Sequence, residues 1–196
     1  MTEEWSNIEV VHSGGRSRLV SNRSSPPLKL LNPRSPTTFC SVIMSNYGGG
    51  MVEGDRVQLQ VDCAAGASLY LGTQALTKIY KCPNGKTTTQ VIEGRIGNKG
   101  CVVALPDLVV PYAESRFYQR QEWTLEENAL LFVLDGHTAG RLERGERFAY
   151  TSYQSELSAK LGERKVLVEN YLSQPHLEAP DRCGAMGDYA AILNAF

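Results

Sequence analysis

An alternation of apolar and polar side chains recurs in short runs along this chain and constrains its fold more than any other feature. Residues 57–63 (VQLQVDC) alternate without a fault, which is the pattern of a half-buried strand. Residues 117–125 place Phe117 and Trp123 on one side in the same way. Helical periodicity is weak and is confined to residues 155–161 and the last few residues. The sequence therefore predicts an all-β fold, mainly strand with minor helix.

Glycine, proline and polar clusters separate the remaining apolar runs. Loops are expected over much of residues 21–36 and over residues 173–184. The run before Pro106 is expected to be a strand buried on both faces. Further strands are predicted at residues 28–31, 67–71, 87–92, 101–105, 129–134, 147–155 and 165–171.

Length and charge narrow the class of protein. A chain of 196 residues is expected to form a single domain over residues 1–196. Its net charge of −1 argues against a nucleic-acid partner, because binding to a phosphate backbone needs a basic surplus. The polar first residues and the lack of a long apolar run predict a cytoplasmic protein with no membrane partner.

The five cysteines are odd in number, widely spaced and free of any CxxC motif. We expect reduced thiols that pack as small apolar side chains. Cys63, Cys82 and Cys101 lie 19 residues apart. That spacing fits either a coiled β architecture with one turn per interval or a coincidence.

Catalytic motifs are missing from the sequence: there is no GxSxG, no HExxH and no phosphate-binding G-x-x-x-x-G-K-[ST]. His12, His137 and His176 stand apart from one another, so each is expected to have a surface or structural role. We predict no catalytic residue and no preformed metal site. A metal-dependent hydrolase would need converging His and Asp ligands that the sequence does not display.

Three polar clusters are unusual for a plain scaffold: residues 73–80 (TQALTKIY), 105–117 (LPDLVVPYAESRF) and 140–146 (GRLERGE). Hydrogen bonds that hold loops, together with solvated charges, would explain them. A recognition surface would explain them equally well, since Arg, Tyr and proline-stiffened loops are common at interfaces.

Four segments together resemble the urease accessory protein D family, called H in some bacteria. Residues 48–55 (GGGMVEGD) are similar to its glycine-rich GD signature, and residues 73–80 to its TQ-x-x-TK segment. Residues 105–119 and 134–146 resemble its proline–RF segment and its GR-x-x-x-GE block, in the family order.

This resemblance implies an elongated, β-helix-like stack of sheets without catalytic activity. It further implies a urease maturation chaperone that binds apo-urease and the accessory proteins F and G, of which G is a GTPase. No cofactor is expected to be held tightly, while Ni²⁺ is expected in transit toward the urease active site. By resemblance, the partner-binding or passage-lining residues are Thr73, Gln74, Thr77, Lys78, Tyr80, Asp107, Pro111, Arg116, Gln119, Asp135, Arg141, Arg144 and Glu146.

The chain departs from the family pattern at Leu108, which replaces a proline, and at Gly136, which replaces a tryptophan. Residues 186–193 resemble the start of a family strand that continues further, so a C-terminally shortened member is expected. An alternative therefore stays open: a truncated or degenerate homologue that acts only as a β-scaffold interaction module, without nickel delivery.

Overall fold

The computed structural model describes residues 4–34, 36–182 and 185–196, and it is all-β. Two single-turn 3₁₀ helices, Tyr47–Gly49 and Leu142–Arg144, are the only helices in these ranges. The strands of the described chain are β1 (Ser6–Ser13), β2 (Arg16–Arg23), β3 (Leu28–Leu31), β4 (Cys40–Asn46), β5 (Arg56–Cys63), β6 (Ser68–Thr73), β7 (Thr77–Ile79), β8 (Thr88–Ile96), β9 (Cys101–Leu105), β10 (Val109–Pro111), β11 (Arg116–Leu125), β12 (Leu130–Thr138), β13 (Ser152–Leu161), β14 (Arg164–Ser173) and β15 (Ala191–Ala195).

The strands form two sheets, and the chain passes repeatedly from one to the other. The first sheet has the order β14-β13-β11-β8-β5-β1-β2, with parallel strands inside and antiparallel β2 and β14 at its ends. The second has the order β3-β4-β6-β9-β12-β10-β7, and β15 pairs antiparallel with β12. These stacked parallel strands make a β-solenoid-like arrangement, which confirms the predicted fold class.

One turn of this coil takes about 30 residues. The first-sheet strands β5, β8 and β11 begin at residues 56, 88 and 116, so successive turns take 32 and 28 residues. Cys63 ends β5 in the first sheet, whereas Cys101 begins β9 in the second. The interpretation of the 19-residue cysteine spacing as the length of one turn is therefore wrong. The equal spacing is a coincidence.

Alternation places one face of each strand in a core shared by both sheets. In β5, Val57, Leu59 and Val61 are buried while the residues between them are more accessible. In β11, Phe117 and Trp123 are buried in the same way. Each fully buried large apolar side chain stabilises the fold by roughly 1.5–3 kcal/mol relative to an exposed one.

Several local predictions are wrong at particular residues. The weak helical candidate at residues 155–161 lies in β13, and the end of the chain forms β15. Residues 147–151 precede the strand predicted there. The expectation that β9 is buried on both faces is also wrong, because only Val102 and Ala104 are buried. Neighbouring strands decided these states, since pairing overrides weak local preference.

Cys40, Cys63 and Cys82 are free and buried, and Cys101 is free and partly exposed, which confirms reduced thiols packed as small apolar groups. Burial raises the pKa of Cys63 to about 12, so this thiol is unreactive. The fifth cysteine, Cys183, lies outside the described residues. Ser35 and Gly184, one in each of the two predicted loops, also lie outside the described residues. The described parts of these loops contain strand only at β3 and at the ends of β2 and β14. Within the described ranges, no helix has the length and apolarity needed to cross a membrane.

Candidate functional site

A row of polar side chains crosses the inner face of the first sheet. Gln119 of β11 is in register with Gln90 of β8 on one side and with Ser155 of β13 on the other. Ser155 is in turn paired with Tyr171 of β14. Residues in register on adjacent strands present their side chains to the same face. We call these four residues the polar row.

Asp135 of β12 reaches this row from the opposite sheet. Its Oδ1 accepts a 2.5 Å hydrogen bond from Gln119 Nε2, and its Oδ2 accepts a 2.5 Å bond from Ser155 Oγ. Gln119 Nε2 also lies 3.1 Å from the Tyr153 hydroxyl. Because all four side chains are buried, these bonds hold a charge-bearing group in the core between the sheets.

The electrostatics of Asp135 reflect two opposing effects. Burial raises the pKa of its carboxyl, because a charged carboxylate loses its hydration in the core. The hydrogen bonds from Ser155 and Gln119 oppose this rise by stabilising the ionised form. The carboxyl is therefore held in an environment where a nearby cation would favour its charged form.

His137, two residues further along β12, points into the same space. Its ring stacks on Tyr153 with centroids 4.0 Å apart and lies 5.0 Å from the ring of Tyr171. Burial lowers the pKa of His137 to about 4, so the imidazole is neutral at pH 7. Its Nε2 atom has no hydrogen-bond partner among the described residues. A buried polar atom without a partner is rare and marks a position of interest.

Two concave surfaces lie at the two ends of the polar row. The first, a cleft of about 410 Å³, is lined by Gln90 together with Thr73, Gln74, Thr77 and Lys78; we call it the threonine cleft. The second, a pocket of about 210 Å³, is lined by Tyr171, Ser173, Met186 and Ile192; we call it the tyrosine pocket. The two end members of the polar row, Gln90 and Tyr171, thus each line a concave surface.

Hydrogen bonds hold the rim of the threonine cleft. Thr73 Oγ1 donates to Asp107 Oδ2 at 2.9 Å and accepts the backbone N–H of Asp107 at 2.7 Å. Gln74 Oε1 accepts the hydroxyl of Ser45 at 2.7 Å, which leaves the amide N–H groups of Gln74 for another partner. Lys78 pairs with β10 on one side. On the other side, its backbone carbonyl accepts a hydrogen bond from the N–H of Met51.

Three other residues of the polar segments, Tyr80, Tyr112 and Arg141, form a stack beside this cleft. The rings of Tyr80 and Tyr112 meet edge to face at 5.2 Å, and the Arg141 guanidinium lies 3.8 Å from the centre of the Tyr112 ring. Arg141 forms a two-pronged ion pair with Glu146, which also accepts the N–H of Ala113. That pairing lowers the pKa of Glu146. A Cβ on Gly50 would collide with Tyr80, so only glycine fits beneath the stack.

The structure brings the sequence-predicted residues together unevenly. Thr73 joins Asp107, Gln119 joins Asp135, and Arg141 joins Glu146. Arg116 lies apart at the start of β11, where its N–H donates to the thiol of Cys82. Two further predicted residues lie outside these pairs: Pro111 is buried in β10, and Arg144 is exposed on the second 3₁₀ helix.

Sequence reasoning missed the inner members of the site, Gln90, Tyr153, Ser155 and Tyr171. The signal was present in the alternation of β13, where Tyr153, Ser155 and Leu157 share one face. The weak helical periodicity of residues 155–161 obscures this alternation. Within residues 4–34, 36–182 and 185–196, no group of three or more His, Cys, Asp or Glu side chains converges to hold a metal ion.

Stacked parallel strands, with a row of polar side chains on the inner face of one sheet, define a β-solenoid-like protein with buried polar groups beside its apolar core. The family model described as UreD urease accessory protein matches residues 6–196. The chain belongs to this family.

Curated relatives agree with the family model. The chain is 36% identical to urease accessory protein UreD of Cytophaga hutchinsonii, over 96% of this chain and 65% of the relative. It is 39% identical to UreD of an Anaeromyxobacter species, over 83% and 54%. It is 34% identical to urease accessory protein D of Arabidopsis thaliana, over 76% and 52%. The chain therefore spans between about half and two thirds of the length of these relatives.

Proposed function

We propose that this chain is a non-catalytic, cytoplasmic maturation protein of urease. In this role it binds apo-urease and the accessory proteins F and G, and it assists the insertion of Ni²⁺ into the urease active site. The names of its relatives describe accessory proteins of urease, which supports the general role. The single observation that carries the nickel role is the polar row between the threonine cleft and the tyrosine pocket.

Ni²⁺ is the cargo in this proposal, and the inner side chains are suited to brief contacts with it. Imidazole and carboxylate groups both bind such an ion, and His137 and Asp135 present one of each within two residues of β12. An ion in transit needs contacts strong enough to draw it in and weak enough to release it. A neutral imidazole with an unpartnered Nε2 and a carboxyl that gains charge when a cation approaches meet that need.

The decisive variant is Asp135→Asn, because it removes the negative charge while keeping an oxygen that accepts hydrogen bonds. Urease is co-expressed with its accessory proteins and either form of this chain, and nickel per active site is measured. We expect a severalfold fall in nickel with the complex on apo-urease still formed. Asp62→Asn, on the exposed face of β5, is the matched control and should leave loading unchanged. Full loading with folded Asp135→Asn would contradict the nickel role.

A second candidate, an interaction module without nickel delivery, is favoured by the stack of Tyr80, Tyr112 and Arg141. Arginine and tyrosine at the surface are frequent binding hot spots. We expect Arg141→Ala to weaken assembly with the F partner in a pull-down more than it lowers the melting temperature. Arg144→Ala, an exposed arginine without a contact in the stack, is the control. A large fall in melting temperature with unaltered binding would show that Arg141 only supports the fold.

The two candidates differ in their readouts. A chain that binds the F partner but leaves nickel per active site unchanged, compared with its omission, is an interaction module. A chain that binds the partner and raises nickel loading is a delivery protein.

A further inference from the structure

The tight turn between β7 and β8 contains the only Asn-Gly pair in this sequence. Asn84 and Gly85 are both exposed, and Gly85 has a φ of +75° with open space beside its Cα atom. The side-chain amide of an asparagine can be attacked by the backbone nitrogen of the residue that follows it. Glycine presents this nitrogen without a side chain to block the approach, and its backbone is the most adaptable. The sequence at this turn therefore favours loss of the Asn84 amide group.

The reaction needs only water as a co-reactant. The backbone nitrogen of Gly85 forms a bond to Cγ of Asn84, and the bond between Cγ and Nδ2 breaks. The nitrogen of Gly85 loses a proton and the departing amide group gains one, so ammonia leaves and a cyclic imide remains. Water then opens the imide at either carbonyl, which leaves an aspartate or an isoaspartate at position 84. The product carries one more negative charge than the original chain.

Glu53 holds the amide group that would react. Its Oε2 accepts a 2.8 Å hydrogen bond from Asn84 Nδ2, and its Oε1 accepts the backbone N–H groups of Asn84 and Lys86, each at 2.8 Å. An ionised carboxylate only accepts hydrogen bonds, so three N–H donors suit it well. The N–H of Gly85 donates to the carbonyl oxygen of Cys82 at 3.1 Å. Both reacting groups are thus engaged while the turn is closed, and attack requires the turn to open.

Deamidation reverses the electrostatics of this contact. A carboxylate at position 84 has no proton to donate to Glu53, so two negative charges stand where a hydrogen bond stood before. Like charges this close repel one another. We propose that Asn84 is a site of spontaneous deamidation, that Glu53 slows the reaction by closing the turn, and that the charge of the product then keeps the turn open.

A second turn, at the other end of β8, offers an internal comparison. The N–H of Asn98 donates to Glu126 Oε2 at 3.0 Å, and Asn98 Nδ2 donates to the carbonyl oxygen of Glu127 at 2.8 Å. This asparagine is held much as Asn84 is, but the residue after it is Lys99, whose side chain shields the backbone nitrogen. Asn98 should therefore stay intact under conditions in which Asn84 reacts.

The test follows the mass of the tryptic peptide 82–86 while the full chain is kept at mildly alkaline pH. We expect a gain of about one mass unit that grows with time, and no gain in the peptide that contains Asn98. Glu53→Gln removes the charge that holds the turn closed and should speed the gain at least fivefold, because the rate follows the population of the open turn. Glu126→Gln alters the contact at Asn98 instead and should leave the rate at Asn84 unchanged.

A second measurement needs no variant. The unaltered chain should deamidate faster in guanidinium chloride that unfolds it than in buffer, since unfolding frees both reacting groups. A constant mass of peptide 82–86, equal rates in the two solvents, or equal rates for Glu53→Gln and the unaltered chain would each overturn the proposal.

The effect of the product is tested by Asn84→Asp. This variant should speed amide hydrogen exchange at residues 84–86, and the double variant E53Q/N84D should slow it again, because the new amide group can donate to the new carboxylate. Exchange that does not respond to Asn84→Asp would contradict an opened turn. All of these readouts are independent of nickel loading and of partner binding, so their failure would leave the proposed function standing.

Discussion

At the scale of single residues, burial rather than chemical type determines what His137 and Asp135 do. The sequence predicts a surface or structural role for His137, and the structure buries it almost fully, stacked on Tyr153 and beside Tyr171. Asp135 is buried beside it and depends on Gln119 and Ser155 for its hydrogen bonds. Burial disfavours the charged form of both side chains, so the pKa of each differs from its ordinary value. The free energy of unfolding therefore depends on pH.

His137→Gln should reduce the acid sensitivity of the fold. The pKa of His137 is about 4 in the folded chain against an ordinary 6.5, so the unfolded state binds more protons between these values. Stability is accordingly lost as the pH falls from 6.5 toward 4. Between pH 7 and pH 5 this loss amounts to about 2 kcal/mol. Urea unfolding at both pH values should show the loss in the original chain and not in the variant.

The histidine His12 provides the control for this measurement, because it lies exposed in β1. His12→Gln should keep the acid sensitivity of the original chain. The raised pKa of Asp135 acts in the opposite direction, since it favours the folded state at low pH, but it contributes equally to all three proteins. An unchanged pH dependence in His137→Gln would show that folding does not lower the pKa of His137.

At the scale of elements, β12 is the strand on which the site depends. It pairs with β9 through residues 130–133 and with β15 through residues 134–138, and this second half carries Asp135 and His137. Gly136 stands where the family pattern has a tryptophan, and the structure gives the reason for glycine here. A Cβ at this position would collide with the carbonyl oxygen of Ile192 in β15 and with the side chain of Leu108.

Gly136→Ala should therefore displace β15 from β12. The colliding atom is a backbone oxygen, so a change of side-chain rotamer cannot relieve the contact. We expect amide exchange at residues 191–195 to accelerate at least tenfold, while exchange in β5 and β8 is unchanged. Leu193→Ala, which removes a half-exposed side chain on β15 without adding an atom, is the control. Retained protection of residues 191–195 in Gly136→Ala would mean that β12 shifts instead.

At the scale of the whole molecule, the two sheets share one apolar core. Successive turns of the coil interlock within it: Trp123 of β11 covers Gly94 of β8, where a Cβ would overlap the indole ring. Because neither sheet buries its inner face without the other, the described chain should unfold as one unit.

Unfolding should therefore give the same urea midpoint by every probe. Trp5→Phe leaves buried Trp123 as the only tryptophan, so its fluorescence reports on the core. We expect this signal and the far-ultraviolet circular dichroism, which reports on all strands, to change together. Two separate transitions would instead divide the chain into independent units and contradict the prediction of a single domain.

The amino-acid sequence by itself determined the fold class and much of the strand pattern. The alternation in residues 57–63 and 117–125 required one buried face, and it correctly placed Val57, Leu59, Phe117 and Trp123 inside. The motifs also led to the family, because four segments in a fixed order are specific even without a structure.

Only the tertiary structure decided how these segments meet. Gln90, Gln119, Ser155 and Asp135 are distant in sequence, and their contact depends on strand register between turns about 30 residues apart. Weak local patterns also failed at β13 and β15, where pairing with β11 and β12 imposed the extended state. Alternation tells which side chains face inward, but it contains no information on which inward residues lie opposite one another. The polar row arises from that long-range register.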